Sequence, residues 1–152
     1  MKCNINYKKR DNYTSPFAAW ELIFKYIDCK YKVVYLPFFC EGEASTHLTK
    51  LGINHIHQDK DFFTTDVSFD YIIDNPPYSI KKKVIDHCLS LKKPFALLLP
   101  VETVERQYLR DKQYTVIIPK QRYSFKQGNC TAPFKTGWFL FGFDLERQII
   151  YE

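Results

Sequence analysis

Short apolar runs alternate with helix-length amphipathic stretches along this chain, and that alternation restricts its fold more than any other feature. Ser15-Pro16 opens a predicted helix to Tyr26, with Ser15 as N-cap and Pro16 in the first turn. Tyr31 to Leu36 is rich in β-branched and aromatic residues and reads as a strand. Glu43 to Leu51 reads as a helix stopped by Gly52. Strands follow from Ile53 to His57 and from Ser68 to Ile73. Ser79 to Leu91 places Ile80, Val84, Ile85, Cys88 and Leu89 on one side of a helix. Phe95 to Leu99 is a buried strand, Glu102 to Leu109 a helix, and Thr115 to Ile118 and Gly137 to Phe143 late strands, the last of them antiparallel. This order predicts an α/β fold with a doubly wound sheet, mostly parallel, closed by an antiparallel strand.

A chain of 152 residues fits one domain, here residues 1–152, and 45% hydrophobic residues suffice for its core. The net charge of +5 permits a phosphate-bearing partner without requiring one. The five cysteines are irregularly spaced and form no Cys-x-x-Cys pair. Neither a zinc site nor a disulfide framework is expected, and a reducing, intracellular home (cytoplasm or nucleus) is favoured. His55 and His57 alternate on one strand face without a second ligand pair, so no metal is expected. The first ten residues hold no apolar stretch of a signal peptide, and the run around Phe95 to Leu99 is too short for a bilayer.

Open α/β sheets bind ligands beyond the carboxyl ends of their strands. Four segments gather at or before those ends. Tyr13-Thr14-Ser15-Pro16 precedes the first helix. Leu36-Pro37-Phe38-Phe39-Cys40-Glu41-Gly42 joins the first strand to a helix, where a turn brings backbone N–H groups close to a ligand. Gln58-Asp59-Lys60-Asp61-Phe62-Phe63 follows the second strand, where a carboxylate can take ribose hydroxyls and an aromatic can cover an adenine ring. Asn75-Pro76-Pro77-Tyr78 ends the third strand. Each also has a plain reading: two prolines after an Asn end strands for structural reasons, Pro37-Phe38-Phe39 can be an apolar turn, and Asp59 and Asp61 can be caps.

In this order the segments resemble the class I, S-adenosylmethionine-dependent adenine-N6 methyltransferases of the Dam-like and phage-encoded type, over roughly residues 11–143. The resemblance implies a Rossmann-like fold. Asn75, Pro76, Pro77 and Tyr78 would form the catalytic loop, and Tyr13, Thr14, Pro37, Phe38, Cys40, Gly42, Asp59, Asp61 and Phe62 the cofactor site. The chemistry suits the residue types. An amine conjugated to a ring must pyramidalise to attack a methyl group in line. The Asn75 side-chain carbonyl accepts one N–H and the Pro76 backbone carbonyl the other, favouring the positive charge that develops on nitrogen. The prolines fix φ and leave carbonyls free. Tyr78 offers a flat face to a planar base.

The chain departs from the family in its cofactor loop, which usually reads acidic-Pro-Phe-x-Gly-x-Gly. Leu36 stands at the acidic position and Cys40 at the first glycine, and only Gly42 remains. Glu41 or Glu43 could replace the missing carboxylate.

From Lys112 to Phe143 there is no Asp or Glu. Lys120, Arg122, Lys126 and Lys135 alternate there with Tyr123, Phe125, Phe134 and Trp138, a pattern that suits a DNA or RNA strand or, equally, a sheet hairpin with a buried aromatic face. The chain leaves little room for a target-recognition segment. Specificity is therefore low, or a second copy or another chain supplies it in a homo- or hetero-oligomer. Two alternatives accompany the adenine-N6 reading: an inactive relative that binds nucleic acid or supports a partner, and a protein glutamine methyltransferase.

Overall fold

The computed structural model describes residues 13–127, 130, 131, 135–146 and 148–152. In chain order they form α1 (Phe17–Tyr26), β1 (Val34–Leu36), α2 (Glu43–Lys50), β2 (His55–His57), β3 (Tyr71–Asp74), α3 (Lys81–Ser90), β4 (Phe95–Pro100), β5 (Thr115–Ile118), β6 (Lys126–Gln127), β7 (Cys130–Thr131), β8 (Thr136–Phe141) and β9 (Gln148–Tyr151). Seven strands make one sheet in the order β2-β1-β3-β4-β8-β5-β9, and β6 pairs with β7 separately. β2, β1, β3 and β4 are mutually parallel. β8 runs antiparallel to both β4 and β5, and β9 is parallel to β5. The fold is thus a Rossmann-like, mostly parallel α/β sheet.

Strand alternation divides the core between the two sheet faces. Val34, Leu36, Ile73, Ala96 and Leu98 point to one face, where Ala19, Trp20 and Ile23 of α1 and Leu48 of α2 cover them. Tyr35, Ile72, Phe95, Leu97 and Leu99 point to the other, under Val84, Ile85 and Cys88 of α3. Each large side chain buried here contributes about 1.5–3 kcal/mol. Strands covered on both faces read as continuous apolar runs, and β1 and β4 do so.

The structure corrects several expectations. Val101–Glu105 and Gln107–Leu109 form two 3-10 turns in place of a helix. Arg106 between them is extended (φ −67°, ψ 131°), and the β-branched Val101, Thr103 and Val104 disfavour a continuous helix. β3 begins at Tyr71, because Asp70 and Tyr71 both donate their N–H to Val33 O while Asp70 Oδ2 accepts from Val33 N at 2.7 Å. Pro16 caps α1, without a side-chain bond from Ser15. Tyr123, Phe125 and Trp138 are core residues, 9%, 1% and 0% exposed, and do not face a nucleic-acid strand. Phe134 lies outside the described residues.

Candidate active site

Sheet topology selects one place for a ligand. From β1 the chain crosses through α2 to β2 on one side, while β3 lies on the other. The carboxyl ends of β1 and β3 therefore flank a topological switch point, where open α/β sheets form a crevice. A cleft of about 470 Å³ (mouth included) opens there, lined by Tyr13, Thr14 and Ser15 ahead of α1, by Phe38 to Glu41 after β1, and by Asp74, Asn75 and Pro77 after β3.

Asp74 ties the two loops together. It is 2% exposed. One carboxylate oxygen accepts from Phe38 N at 2.7 Å and the other from Asn75 N at 2.8 Å. Burial pushes its carboxyl well above the usual carboxylate range, and the two N–H groups pull the other way.

Asn75 is held through its amide. Its Nδ2 donates to Ser15 Oγ at 2.9 Å. Its Oδ1 is buried and has no hydrogen-bond partner among the described residues. A buried acceptor left open in this way costs about 1–3 kcal/mol, and in a cleft it marks where a donor from a ligand would fit.

The loop after β1 reverses tightly. Cys40 (φ 52°) and Gly42 (φ 78°) are left-handed, and Gly42 N donates to Phe39 O at 2.7 Å. The Phe39 ring packs over this turn, so that a Cβ on Gly42 would meet it at 3.0 Å. That ring also lies 4.8 Å from His57, centroid to centroid. His57 shares its Nδ1–H with Leu36 O at 2.9 Å, and burial lowers its pKa.

The expected site residues divide accordingly. Tyr13, Thr14, Phe38, Cys40, Asn75 and Pro77 line the cleft together, with Glu41 and Glu43 beside them. Pro37 and Pro76 are buried behind it, and Gly42 caps α2. Asp59, Asp61 and Phe62 do not line it. Asp61 instead caps its own turn, its Oδ1 accepting from Phe63 N at 2.9 Å. Phe62 is 2% exposed and packs edge-on to Phe38 and against His87; it offers no free face to an adenine. Tyr78 does not line the cleft and packs on the core beneath α3.

Lys120 and Arg122 line a separate groove between α1 and the segment after β5, with Lys25, Glu21 and Glu152, and Pro16 is part of that groove. Lys135 is exposed, and its carbonyl accepts from Val101 N. The Lys126 side chain lies outside the described residues.

Sequence reading missed three contributors: Ser15 as the amide's partner, Asp74 as the link between loops, and Trp20 in the cleft wall. The local signals for Ser15 and Trp20 were those of an ordinary cap and an ordinary core residue. Among the described residues no group of three or more His, Cys, Asp or Glu side chains could hold a metal, and no helix is long and apolar enough to cross a membrane.

No protein-family model matches the chain, and no curated protein matches it. Among solved structures it is similar to the tRNA (m1A58) methyltransferase TrmI from Aquifex aeolicus, at 14% identity over 90% of this chain and 72% of that one, with a TM-score of 0.48. It is also similar to a predicted O-methyltransferase, Atu636 from Agrobacterium tumefaciens, at 9% identity over 82% of this chain and 80% of that one, with a TM-score of 0.38. These likenesses concern the outline of the fold and carry no chemistry.

Proposed function

We propose that this chain transfers a methyl group from S-adenosylmethionine to the N6 amine of adenine in DNA or RNA. One observation carries the reading: Asn75 Oδ1 stands buried and unpartnered at the switch-point crevice, with its amide fixed through Nδ2 on Ser15. An amide so fixed presents a carbonyl oxygen to an amine N–H without reorganising during the reaction.

The residues of the cleft fit the cofactor's amino-acid end. The left-handed turn at Cys40 and Gly42 brings backbone close, and Glu41 and Glu43 can draw an ammonium group. Asp59 and Asp61 lie beyond the cleft and would take ribose hydroxyls. The bound cofactor supplies an electrophilic methyl group on a sulfonium centre. The protein's own part is positional: Asn75 Oδ1 and the Pro76 carbonyl accept the two amine protons' hydrogen bonds, while Asp74 holds both loops in register. Holding donor and acceptor in line removes a large entropic barrier.

The nucleic-acid part of the proposal draws support from the Lys25, Lys120 and Arg122 groove, which includes Pro16, next in sequence to Ser15. A base within a duplex cannot reach the edge of the sheet, so the target nucleotide is flipped or single-stranded.

A second reading, a nucleic-acid-binding relative without activity, is favoured by the burial of Phe62, which leaves the adenosine half of the cofactor site without the ring face expected there. The test is transfer of a labelled methyl group from S-adenosylmethionine to single-stranded DNA and RNA containing adenine, alongside calorimetry with S-adenosylhomocysteine. Transfer to adenine supports the main reading. Nucleic-acid binding without cofactor binding supports the second, and transfer only to a glutamine-bearing protein overturns both.

A further inference from the structure

We propose that the indole N–H of Trp20 binds a carboxylate oxygen at the amino-acid end of the cofactor and thereby sets the cleft's preference for carboxylated S-adenosyl ligands. This inference rests on the methyltransferase reading above.

Trp20 lies in the first turn of α1, is 1% exposed, and lines the cleft together with Asp74 and Asn75. Its Nε1 is buried with no hydrogen-bond partner among the described residues. An indole nitrogen is a donor only, so it calls for an acceptor. The chain's other tryptophan makes the contrast. Trp138 packs 5.6 Å from Trp20 on the same face of the sheet, and its Nε1 donates to Ala19 O at 2.9 Å. Of two neighbouring core indoles, the one on the strand is satisfied by the backbone of α1, and the one in the cleft wall has no partner among the described residues.

Charge gives the acceptor its identity. No Lys or Arg lines the cleft among the described residues, so no side-chain cation is at hand for a ligand carboxylate. Glu41 and Glu43 supply negative charge there. An amino-acid zwitterion entering such a cleft places its ammonium group toward the glutamates and its carboxylate away from them. The open donor in the wall is Trp20 Nε1–H. The cleft therefore carries two complementary unsatisfied atoms: this donor, for the cofactor, and Asn75 Oδ1, for the amine.

The test follows the two indole N–H resonances of the wild-type protein by NMR during titration with S-adenosylhomocysteine and with its decarboxylated analogue. The Trp138 resonance, already hydrogen-bonded, is the internal reference, and Trp138→Phe assigns it. The Trp20 N–H should move downfield with S-adenosylhomocysteine and stay in place with the decarboxylated compound. Trp20→Phe should lower affinity for S-adenosylhomocysteine by about tenfold to a hundredfold, the equivalent of one hydrogen bond to a charged group, and abolish the preference between the two ligands. A Trp20 resonance that does not move when S-adenosylhomocysteine saturates the protein, or a Trp20→Phe protein that keeps the preference, overturns the proposal and leaves the methyltransferase reading intact. If neither ligand binds the wild type, that reading falls and this inference falls with it. Should Trp20→Phe fail to fold, the wild-type spectra decide alone.

Discussion

Asn75 Nδ2 donates to Ser15 Oγ at 2.9 Å, joining residues 60 positions apart in sequence. The contact links the segment before the first helix to the loop after the third strand, and it fixes which end of the Asn75 amide faces the cleft. Ser15 is 7% exposed, so water does not readily replace it.

Ser15→Ala removes this acceptor and leaves a half-buried N–H open. Stability should fall by about 1–2 kcal/mol in denaturant titration. Turnover should fall about tenfold, with the affinity for S-adenosylhomocysteine unchanged. Full turnover in Ser15→Ala would show that the amide needs no such anchor.

Asp74 gives a pH dependence with a defined sign. Burial raises its folded pKa well above the ordinary 3.8. The folded protein therefore holds this proton to higher pH than the unfolded chain. The resulting stability is complete below the unfolded value and is lost as pH rises through the folded one. Compared with Asp74→Asn, which does not titrate, the wild type should lose unfolding free energy as pH rises from the unfolded value to the folded one, and no further above it. A difference between the two proteins that stays constant with pH contradicts the assignment.

Phe62 separates packing from binding. Truncation to Ala should cost about 3–5 kcal/mol, as for other fully buried aromatic residues. Phe62→Leu, which keeps most of the volume, should retain cofactor affinity within a few fold. A large loss of affinity in Phe62→Leu at unchanged melting temperature would restore the residue to the binding site.

The groove that holds Lys25, Lys120 and Arg122, with Glu21 and Glu152 beside them, predicts salt-dependent binding. Removing Lys120 or Arg122 should each shrink the log–log salt slope for a single-stranded oligonucleotide by up to about 1. Affinity should favour unpaired over paired strands. Binding insensitive to salt would remove the groove from the account.

Most of the sheet, and the position of the Asn75-Pro76-Pro77 loop at the end of one strand, were legible in the sequence because both are local signals. Phe95–Pro100 is a continuous apolar strand, Tyr71–Asp74 is apolar up to its final Asp74, and Asn75-Pro76-Pro77 follows the latter. What sequence missed depends on distant partners. Ser15 carries the signal of a helix cap, and only the folded chain brings it to Asn75. Phe62 carries the signal of a ring beside a carboxylate, yet Phe38 and His87 close around it. The expected helix after β4 failed because extended Arg106 interrupts it. β9 was missed because Gln148–Tyr151 shows one half-buried residue among exposed ones, and its pairing with β5 is non-local.

The central claim is that Asn75 Oδ1 receives the amine, and Asn75→Ala tests it most directly. Transfer of labelled methyl to adenine in single-stranded oligonucleotides would be measured beside S-adenosylhomocysteine affinity and melting temperature. The account predicts turnover lower by about 10²–10³, as for loss of one preorganised transition-state group, with cofactor affinity unchanged. An Asn75→Ala protein that methylates adenine at the wild-type rate contradicts it.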